Sequence, residues 1–429
     1  MTTTQPGGTS HARRGCPENT RATVSRRSLL RMAGAAAGGA FVASTVSEAR
    51  LAFSAPARNA DTLVILSLRG GMDGLSVVVP AGDRRYAANR PGLAVPRGQL
   101  RKIDSMFGLH PALAPLFRLW DAGKIAAVHA VGQADPTRSH FTAMDEMERA
   151  APGSSLRTGW IDRTLGALPG GNGFEGTQVG SPDLPRSMIG PNAKFAIDSI
   201  AFVKLAVGDD LVGLATWRAA AAKLHADARP EVSRPLAAAL GSVGALRALP
   251  EVVDATALGY PKGSLGSALH DVARLVRANV GLRVATVDFG GWDMHAGLGR
   301  FNAGWMHDQL TTLSGALAAF AAELGPDLDR VTLVTLSEFG RRVRENGSGG
   351  LDHGHGNVVL LLGGGVAGGK VYGRWPGLAD AALVDGDLAG TTDYRAVISE
   401  VLARRCGVAA GSTVFPDFAA APLGVVRAR

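Results

Sequence analysis

Acidic and histidine side chains alternate with other residues at two places in the sequence. Asp293 and His295 are separated by one residue in "GGWDMH". His353 and His355 have the same spacing in "LDHGHG", with Asp352 beside them. On an extended segment, alternate side chains point to the same side. Imidazole and carboxylate groups without a usable thiol suit Zn, Mn, Mg or Ca, and histidine favours the first two. We therefore predict that these residues bind a divalent metal.

Two further carboxylates each follow an apolar run. Asp73 lies in "GGMDGLS", where the flanking glycines would let the backbone and the carboxylate approach a cation closely. An Asx-turn or a helix N-cap explains Asp73 equally well. Glu338 lies in "SEFGRR", and by itself it is more typical of a cap or of an arginine partner. Both residues are candidate metal ligands at this point.

The elements that must position these side chains are apolar runs that end in polar loops containing glycine. Such runs do not alternate with polar residues, and helical patterns such as 303–324 separate them, so they predict a mostly parallel sheet covered on both faces. In such sheets, ligands bind outside the carboxyl ends of the strands. The predicted strands cover residues 62–68, 125–131, 282–289 and 331–336.

The chain of 429 residues, 46% of them apolar, is long enough to bury a large core and fits one elaborated α/β domain over residues 50–429. The stretch from Gly166 to Lys194 is rich in glycine and proline and predicts a long loop or small insertion. The alanine-rich helical patterns of 211–249 that follow predict a cap or side layer. We therefore expect an insertion around 166–250.

Residues 1–49 have the order of a signal peptide: a basic region, a short apolar region and small residues before a cleavage site. Arg26 and Arg27, followed by a leucine pair, are typical of a twin-arginine signal, so we expect the twin-arginine translocase to export the folded protein to the periplasm or the medium. A disordered basic tail is the alternative. The apolar run is shorter than the ~18 residues of a membrane span, which argues against a stable membrane anchor.

Charge and cysteine content exclude other classes. Removing the six arginines and two glutamates of residues 1–49 lowers the formal net charge from +8 to +4. No run of basic residues with interleaved aromatics suggests a nucleic-acid partner. Cys16 is lost with the leader, so Cys406 is left alone and no intramolecular disulfide is possible in the mature chain.

Several long motifs resemble the exported bacterial family called domain of unknown function 1501. They include "LRGGMDGLSVVVP", "PTRSHFTAMDEME", "VDFGGWDMH" and "SEFGRRVRENGSGGLDHGHGN". The family is grouped with the alkaline phosphatase and sulfatase superfamily. The resemblance implies a three-layer α/β/α sandwich with a mostly parallel sheet, one or two divalent metals at strand ends, and cleavage of phosphate or sulfate esters.

The resemblance also implies roles for individual residues. Where the superfamily has Ser-Asp-His-Gly, this chain has Ser337-Glu338-Phe339-Gly340, which loses one ligand. Asp352 or the second histidine of "DHGHG" would replace it. In the order of the superfamily motifs, the implied metal ligands are Asp73, Asp293, His295, Glu338, and His353 or His355.

The predicted nucleophile is Ser139, which begins a helical pattern after "DPTR". A helix N-terminus favours an anion and would help an alkoxide to form beside a metal. Arg138 would hold the non-bridging oxygens of the ester, and His140 would line the pocket or bind metal. Thr137 is a second candidate for the nucleophile. The alternative is that Ser139 is only an N-cap.

A formylglycine sulfatase is not expected, because Ala134 and Asp135 stand ahead of "PTR" where a Cys or Ser is needed. We expect an exported metal-dependent hydrolase that acts on a phosphate or sulfate ester of a small molecule or a polysaccharide. The alternative is a non-catalytic protein of the same fold that keeps a metal and binds an anionic cell-surface polymer. The "SEFGRR" motif favours this alternative, whereas the density of Asp and His favours the enzyme.

Overall fold

The computed structural model describes residues 61–135, 137–168, 174–201, 223, 249 and 253–429. The predicted signal peptide at 1–49 lies outside the described residues, and so does the predicted helical cap at 211–249 apart from two single positions. Within the described ranges, no helix combines the length and the apolar character needed to cross a membrane.

The described residues form strands and helices that alternate along much of the chain. The strands are β1 (Thr62–Leu68), β2 (Val78–Val79), β3 (Arg101–Lys102), β4 (Gly108–Leu109), β5 (Ile125–Gly132), β6 (Gly176–Val179), β7 (Phe195–Ile197), β8 (Val284–Phe289), β9 (Val331–Leu336), β10 (Asn357–Gly363), β11 (Val371–Tyr372), β12 (Leu383–Val384), β13 (Asp387–Leu388) and β14 (Thr392–Asp393). The helices are α1 (Gly74–Val77), α2 (Arg85–Asn89), α3 (Phe117–Asp121), α4 (His140–Arg149), α5 (Trp160–Ala167), α6 (Ser264–Arg277), α7 (Trp305–Leu324), α8 (Tyr394–Val401) and α9 (Gly411–Val414).

A mostly parallel sheet lies at the centre of this mixed α/β structure. Its strand order is β11-β5-β10-β9-β1-β8-β6-β7, and β14 also pairs with β5. Strand β10 runs antiparallel to both of its neighbours, β5 and β9, whereas the other pairs in the sheet are parallel. Strand β10 therefore begins at the edge of the sheet where its neighbours end.

Apolar side chains cover both faces of the sheet. Along β1, Val64, Leu66 and Leu68 belong to one hydrophobic cluster, together with residues of α6 and α7. Leu63 and Ile65 belong to a second cluster, together with residues of α5 and α8. Because successive side chains of a strand point to opposite faces, the two clusters lie on opposite sides of the sheet. This explains why the apolar runs do not alternate with polar residues.

The predicted strand boundaries agree closely with the structure, but strand β6 was not predicted. The stretch 166–194, predicted as a loop or insertion, contains β6, which pairs with β8 at one side of the sheet. This strand has only four residues, and one of them is the buried Gln178. The side chain of Gln178 is hydrogen-bonded to Thr286 of β8. The sequence of β6 therefore lacks the apolar run by which the longer strands are recognised.

Candidate metal centre at the carboxyl edge of the sheet

Three imidazole rings meet one carboxylate oxygen at the carboxyl edge of the sheet. Asp293 Oδ1 lies 3.3 Å from His140 Nε2, 3.0 Å from His295 Nε2 and 3.2 Å from His353 Nε2. The Nε2 atoms of His295 and His353 are 2.9 Å apart. One ligand atom from each of His140, Asp293 and His353 lies within 4.8 Å of the others. We call His140, Asp293, His295 and His353 the imidazole cluster.

Three separate parts of the chain supply the imidazole cluster. His140 is the first residue of α4, which follows β5, and Asp293 and His295 lie in the loop after β8. His353 lies in the loop that precedes β10. Because β10 is antiparallel, the start of this strand lies at the same edge as the ends of β5 and β8. The direction of β10 therefore allows the four side chains to meet.

The other nitrogen of each ring faces a hydrogen-bond acceptor, at 2.6 to 2.9 Å. Ionised carboxylates and backbone carbonyls only accept hydrogen bonds, so in the neutral rings each Nδ1 carries the proton and each Nε2 presents a lone pair to the cluster. Metal-binding histidines have this arrangement, with the second nitrogen held by an acceptor. The pairs are His140 Nδ1 with Glu338 Oε1, His295 Nδ1 with Asp352 Oδ1, and His353 Nδ1 with the Arg138 carbonyl oxygen.

The electrostatics of the cluster also suit a cation. Burial acts to raise the pKa of Asp293, but the hydrogen bond and the charge of Arg341 outweigh it and hold the pKa well below its usual value. The hydrogen bond with His295 lowers the pKa of Asp352. His140 Nε2 is buried and forms no hydrogen bond within the described part of the chain. A carboxylate and an unsatisfied ring nitrogen thus face the same small space, and a divalent metal fits these groups.

Arg341 ties together the loops that carry the cluster. Its buried guanidinium donates to Gly71 O at 2.6 Å, to Leu351 O at 2.8 Å and to Asp293 Oδ1 at 2.7 Å. These acceptors lie in the loops after β1, before β10 and after β8. Arg341 was not among the residues predicted for the site. Its only signal was its position in "SEFGRR" directly after a predicted strand.

An aromatic ring closes one side of the cluster. The ring centroid of Phe339 is 4.7 Å from that of His140 and 4.8 Å from that of His353. Gly71 packs against the same ring with a φ of +62°, and a Cβ built there would lie 2.5 Å from a ring carbon of Phe339. Only glycine suits this position, because it combines left-handed backbone with close approach.

The comparison with known families supports the resemblance seen in the sequence. The model of the family described as "Protein of unknown function (DUF1501)" matches residues 271–402. We call residues 271–402 the DUF1501 segment. The DUF1501 segment contains three members of the imidazole cluster, Asp293, His295 and His353. His140 lies before it.

Other comparisons were less informative. The crystal structure of the PsFucS1 sulfatase from Pseudoalteromonas sp. is similar to this chain with a TM-score of 0.34 and 9% sequence identity, over 81% of this chain and 68% of the sulfatase chain. A TM-score of this size is too low to assign a fold or a function. No curated protein matches the chain.

Two of the predicted ligands orient the cluster instead of joining it. Glu338 in the DUF1501 segment is buried, and its Oε1 accepts from the Gly70 amide at 2.8 Å and contacts His140 Nδ1 at 2.6 Å. Asp352 Oδ1 contacts His295 Nδ1 and accepts from the Asn346 side chain at 3.1 Å. Each of these oxygens is therefore engaged in fixing a ring that belongs to the cluster.

The structure does not bring Asp73 to the imidazole cluster. The Arg90 guanidinium binds both carboxylate oxygens of Asp73, at 2.9 and 2.5 Å, and both side chains are buried. Burial acts to raise the pKa of Asp73, but Arg90 outweighs it and lowers the pKa. Asp73 stands at the N-cap position of α1 without a side-chain cap bond. The charge of Asp73 is therefore neutralised by the buried guanidinium of Arg90.

His355 is also separate from the cluster. The His353 backbone forms a bridge with Arg341, and the Gly354 amide donates to Gly340 O, so the segment turns here and is not a regular strand. The predicted common orientation of His353 and His355 is therefore not observed. A Cβ built at Gly132 or Gly390 would lie 2.5 Å from His355 Nε2. Burial lowers the pKa of His355.

The residues predicted for catalysis before α4 make structural contacts. The Arg138 side chain is 2.6 Å from Asp387 Oδ2, whereas its carbonyl holds His353. Ser139 is the N-cap of α4, and its Oγ accepts from the Thr142 amide at 3.5 Å. Thr137 Oγ1 accepts from the Ser139 amide at 3.3 Å. The assignment of Ser139 as a nucleophile stays a prediction.

Proposed function

We propose that this chain is an exported metal-dependent hydrolase of phosphate or sulfate esters, with a three-layer α/β/α sandwich of the alkaline phosphatase type. The observation that carries this proposal is the orientation of three imidazole rings. Each has its Nε2 toward Asp293 Oδ1, and each has its Nδ1 held by an acceptor. The family resemblance of the sequence motifs supports the choice of ester.

The imidazole cluster would hold the metal with three nitrogens and one oxygen. Such a donor set suits zinc, and manganese is the second choice. A bound divalent metal would polarise the ester oxygen and stabilise the charge that develops in the transition state. Glu338 and Asp352 would keep the rings of His140 and His295 in the tautomer that presents Nε2.

The part of the chain before α4 would supply the attacking group. Ser139 directly precedes His140, at the N-terminus of a helix of ten residues, where unpaired amide groups favour an oxyanion. Its hydroxyl makes only a long contact with Thr142, so its proton is available for transfer. The Arg138 side chain is engaged by Asp387, so we assign it no substrate contact and give its carbonyl the role of orienting His353.

Metal analysis combined with an ester screen tests the proposal. The mature chain, purified without chelator, should contain stoichiometric divalent metal and should cleave at least one phosphate monoester, phosphate diester or sulfate ester. His140→Ala and His353→Ala should each lose the metal and orders of magnitude in rate. His307→Ala is the matched control, because His307 contacts Asp308 outside the cluster. Metal-free protein with full activity would contradict the proposal.

One observation favours a binding protein as the second candidate. Arg138 and Ser139 were both predicted from the sequence to act in catalysis. In the structure, Arg138 forms an ion pair with Asp387, and Ser139 caps α4. A binding protein would contain the metal and would bind an anionic polymer such as a sulfated polysaccharide, but it would cleave no ester in the screen. The same cluster variants would then lose polymer binding together with the metal.

We further propose export of the folded chain by the twin-arginine pathway, which rests on residues outside the described part. Replacing Arg26 and Arg27 by lysine retains the charge but should leave the protein in the cytoplasm. Immunodetection in periplasmic and cytoplasmic fractions measures this. Unchanged export of the double variant would remove the twin-arginine interpretation.

A further inference from the structure

A cavity lies at the carboxyl edge of the sheet, on the β5 side of the imidazole cluster. Its volume is about 280 Å³, and Gly132, Gln133, His355, Val384, Ala389 and Gly390 are among the residues that line it. The cavity is joined to the cluster through Gln133, whose side-chain amide donates to the Glu338 carbonyl at 2.6 Å. Glu338 in turn holds His140.

His355 offers this cavity a polar ring. Gly132 and Gly390 flank the ring so closely that a Cβ on either would lie 2.5 Å from Nε2. Within the described ranges, no side chain or backbone group forms a hydrogen bond with this ring, although it is half-buried. Glycine at both positions therefore lets the ring pack between the two backbones at the cavity wall, where its nitrogens can donate to or accept from a ligand.

The other polar groups of the cavity are uncharged or already neutralised. The Gln133 amide nitrogen donates to Ala143 O and Glu338 O, which leaves its carbonyl oxygen as an acceptor. Arg395 binds both oxygens of Asp393 at the cavity wall. Val384 and Ala389 add apolar surface. A hydroxylated group without charge would match this combination of one imidazole, one amide oxygen and apolar wall.

We propose that this cavity binds an uncharged hydroxylated group, a sugar or polyol, which is the alcohol part of the ester cleaved at the imidazole cluster. The substrate role rests on the proposed function, whereas the binding chemistry rests on the cavity itself. Its volume is close to the lower end of ligand sites, roughly 300 Å³, so the cavity has room for one ring-sized group. This assigns His355 a role in specificity instead of metal binding.

Val384→Trp tests the proposal, because Val384 is 48% exposed at the cavity wall and a larger side chain should block the cavity without disturbing the core. Val253→Trp is the matched control, since Val253 is 50% exposed and does not line the cavity. The probes are methyl glycosides of neutral hexoses, methyl glucuronide and myo-inositol, and saturation-transfer NMR detects their binding to the metal-loaded protein.

At least one neutral probe should bind, and its affinity should fall by about tenfold or more in Val384→Trp and in His355→Ala, as expected when about 1.4 kcal/mol of contact is lost. Binding should be unchanged in Val253→Trp. No binding by any neutral probe, equal binding by Val384→Trp, or tighter binding of methyl glucuronide than of the neutral glycosides would each overturn the proposal.

Failure of this inference can be separated from failure of the proposed function, because the NMR measurement requires no hydrolysis. Probe binding without ester cleavage would contradict the hydrolase and leave the cavity proposal standing. Ester cleavage with the same KM in wild type and Val384→Trp would support the hydrolase and contradict the cavity proposal.

Discussion

The two edges of the central sheet both carry a cavity with charged side chains near it, but these side chains are paired in different ways. At the amino edge, a cavity of about 590 Å³ lies beside ion pairs of Lys124 with Asp329 at 2.9 Å and of Arg405 with Asp61 at 2.6 Å. At the carboxyl edge the cavity is smaller, about 280 Å³, and beside it the three Nε2 atoms of the imidazole cluster face one carboxylate oxygen with no proton between them in the neutral rings. The larger cavity is therefore not the better candidate site.

The two edges differ in how their polar groups are paired. The two opposite charges of a buried ion pair neutralise each other. Several lone pairs that face one another instead repel until a cation binds between them. Such an arrangement costs folding free energy, and metal binding to the native state would offset that cost. The convergence of three imidazole nitrogens on one carboxylate oxygen, and not volume or charge density, distinguishes the carboxyl edge.

The largest expected effect comes from the buried arginine at each edge. Arg341→Met and Arg405→Met should each lower the free energy of unfolding by about 3–5 kcal/mol, because each removes a buried guanidinium that binds both a carboxylate and backbone carbonyl oxygens. Only Arg341→Met should also lower metal content, since Arg341 contacts Asp293. Urea unfolding and elemental analysis measure the two quantities. Equal metal loss in both variants would contradict the assignment of metal binding to the carboxyl edge alone.

Metal addition should give the next largest effect. Zinc or manganese at one hundred times its dissociation constant should stabilise the metal-free protein by about 2.7 kcal/mol, because the ion binds the native state and not the unfolded chain. The rise in Tm should disappear in His140→Ala and persist in Lys124→Ala, which removes an exposed ion pair at the amino edge. Loss of the rise in Lys124→Ala would show that the two edges are not independent.

A smaller effect is expected from the acceptor that orients His295. Asp352→Asn should weaken metal binding by roughly 10-fold to 100-fold, because the amide no longer favours the Nδ1–H tautomer of the ring. Competition with a chromogenic chelator measures the affinity. Asp329→Asn makes the same change at the amino edge and should leave the affinity unchanged. An unaltered affinity in Asp352→Asn would exclude His295 from the ligand set.

The smallest expected effect on stability concerns Ser139. Ser139→Ala should cost about 1 kcal/mol because the N-cap of α4 is lost, and Ser139→Asn should restore that stability because asparagine also caps helices. If Ser139 is the nucleophile, both variants should be inactive on an ester that the wild type cleaves. Full activity of Ser139→Asn would show that Ser139 acts only as the N-cap of α4. Thr137 would then be the candidate nucleophile.

Much of the fold was predictable because long apolar runs are local signals. The strands at 62–68 and 331–336 have the predicted bounds, and the helix predicted over 303–324 begins at Trp305, after Gly304 with its φ of +106°. Strand β6 was missed because the burial of Gln178 depends on Thr286, which is more than one hundred residues away in the chain.

The candidate site was predictable in part. Asp293, His295 and His353 were expected at the edge of the sheet, and the structure brings them together. His140 was expected to line the pocket or bind metal, and it completes the cluster. The sequence could not distinguish Asp73 from a metal ligand, because nothing near it in the chain indicates that Arg90 would bind both of its carboxylate oxygens.

The sequence by itself determined which strands form and which chemical groups follow them, because both depend on residue types over a few neighbouring positions. The tertiary structure decided which atoms meet. Strand β10 runs opposite to its neighbours, which places the loop that begins it, and His353, at the carboxyl edge. The turn at Gly354 then sends His355 to a separate cavity. Strand direction and hydrogen-bond partners are set by contacts between distant segments, so no local pattern could specify them.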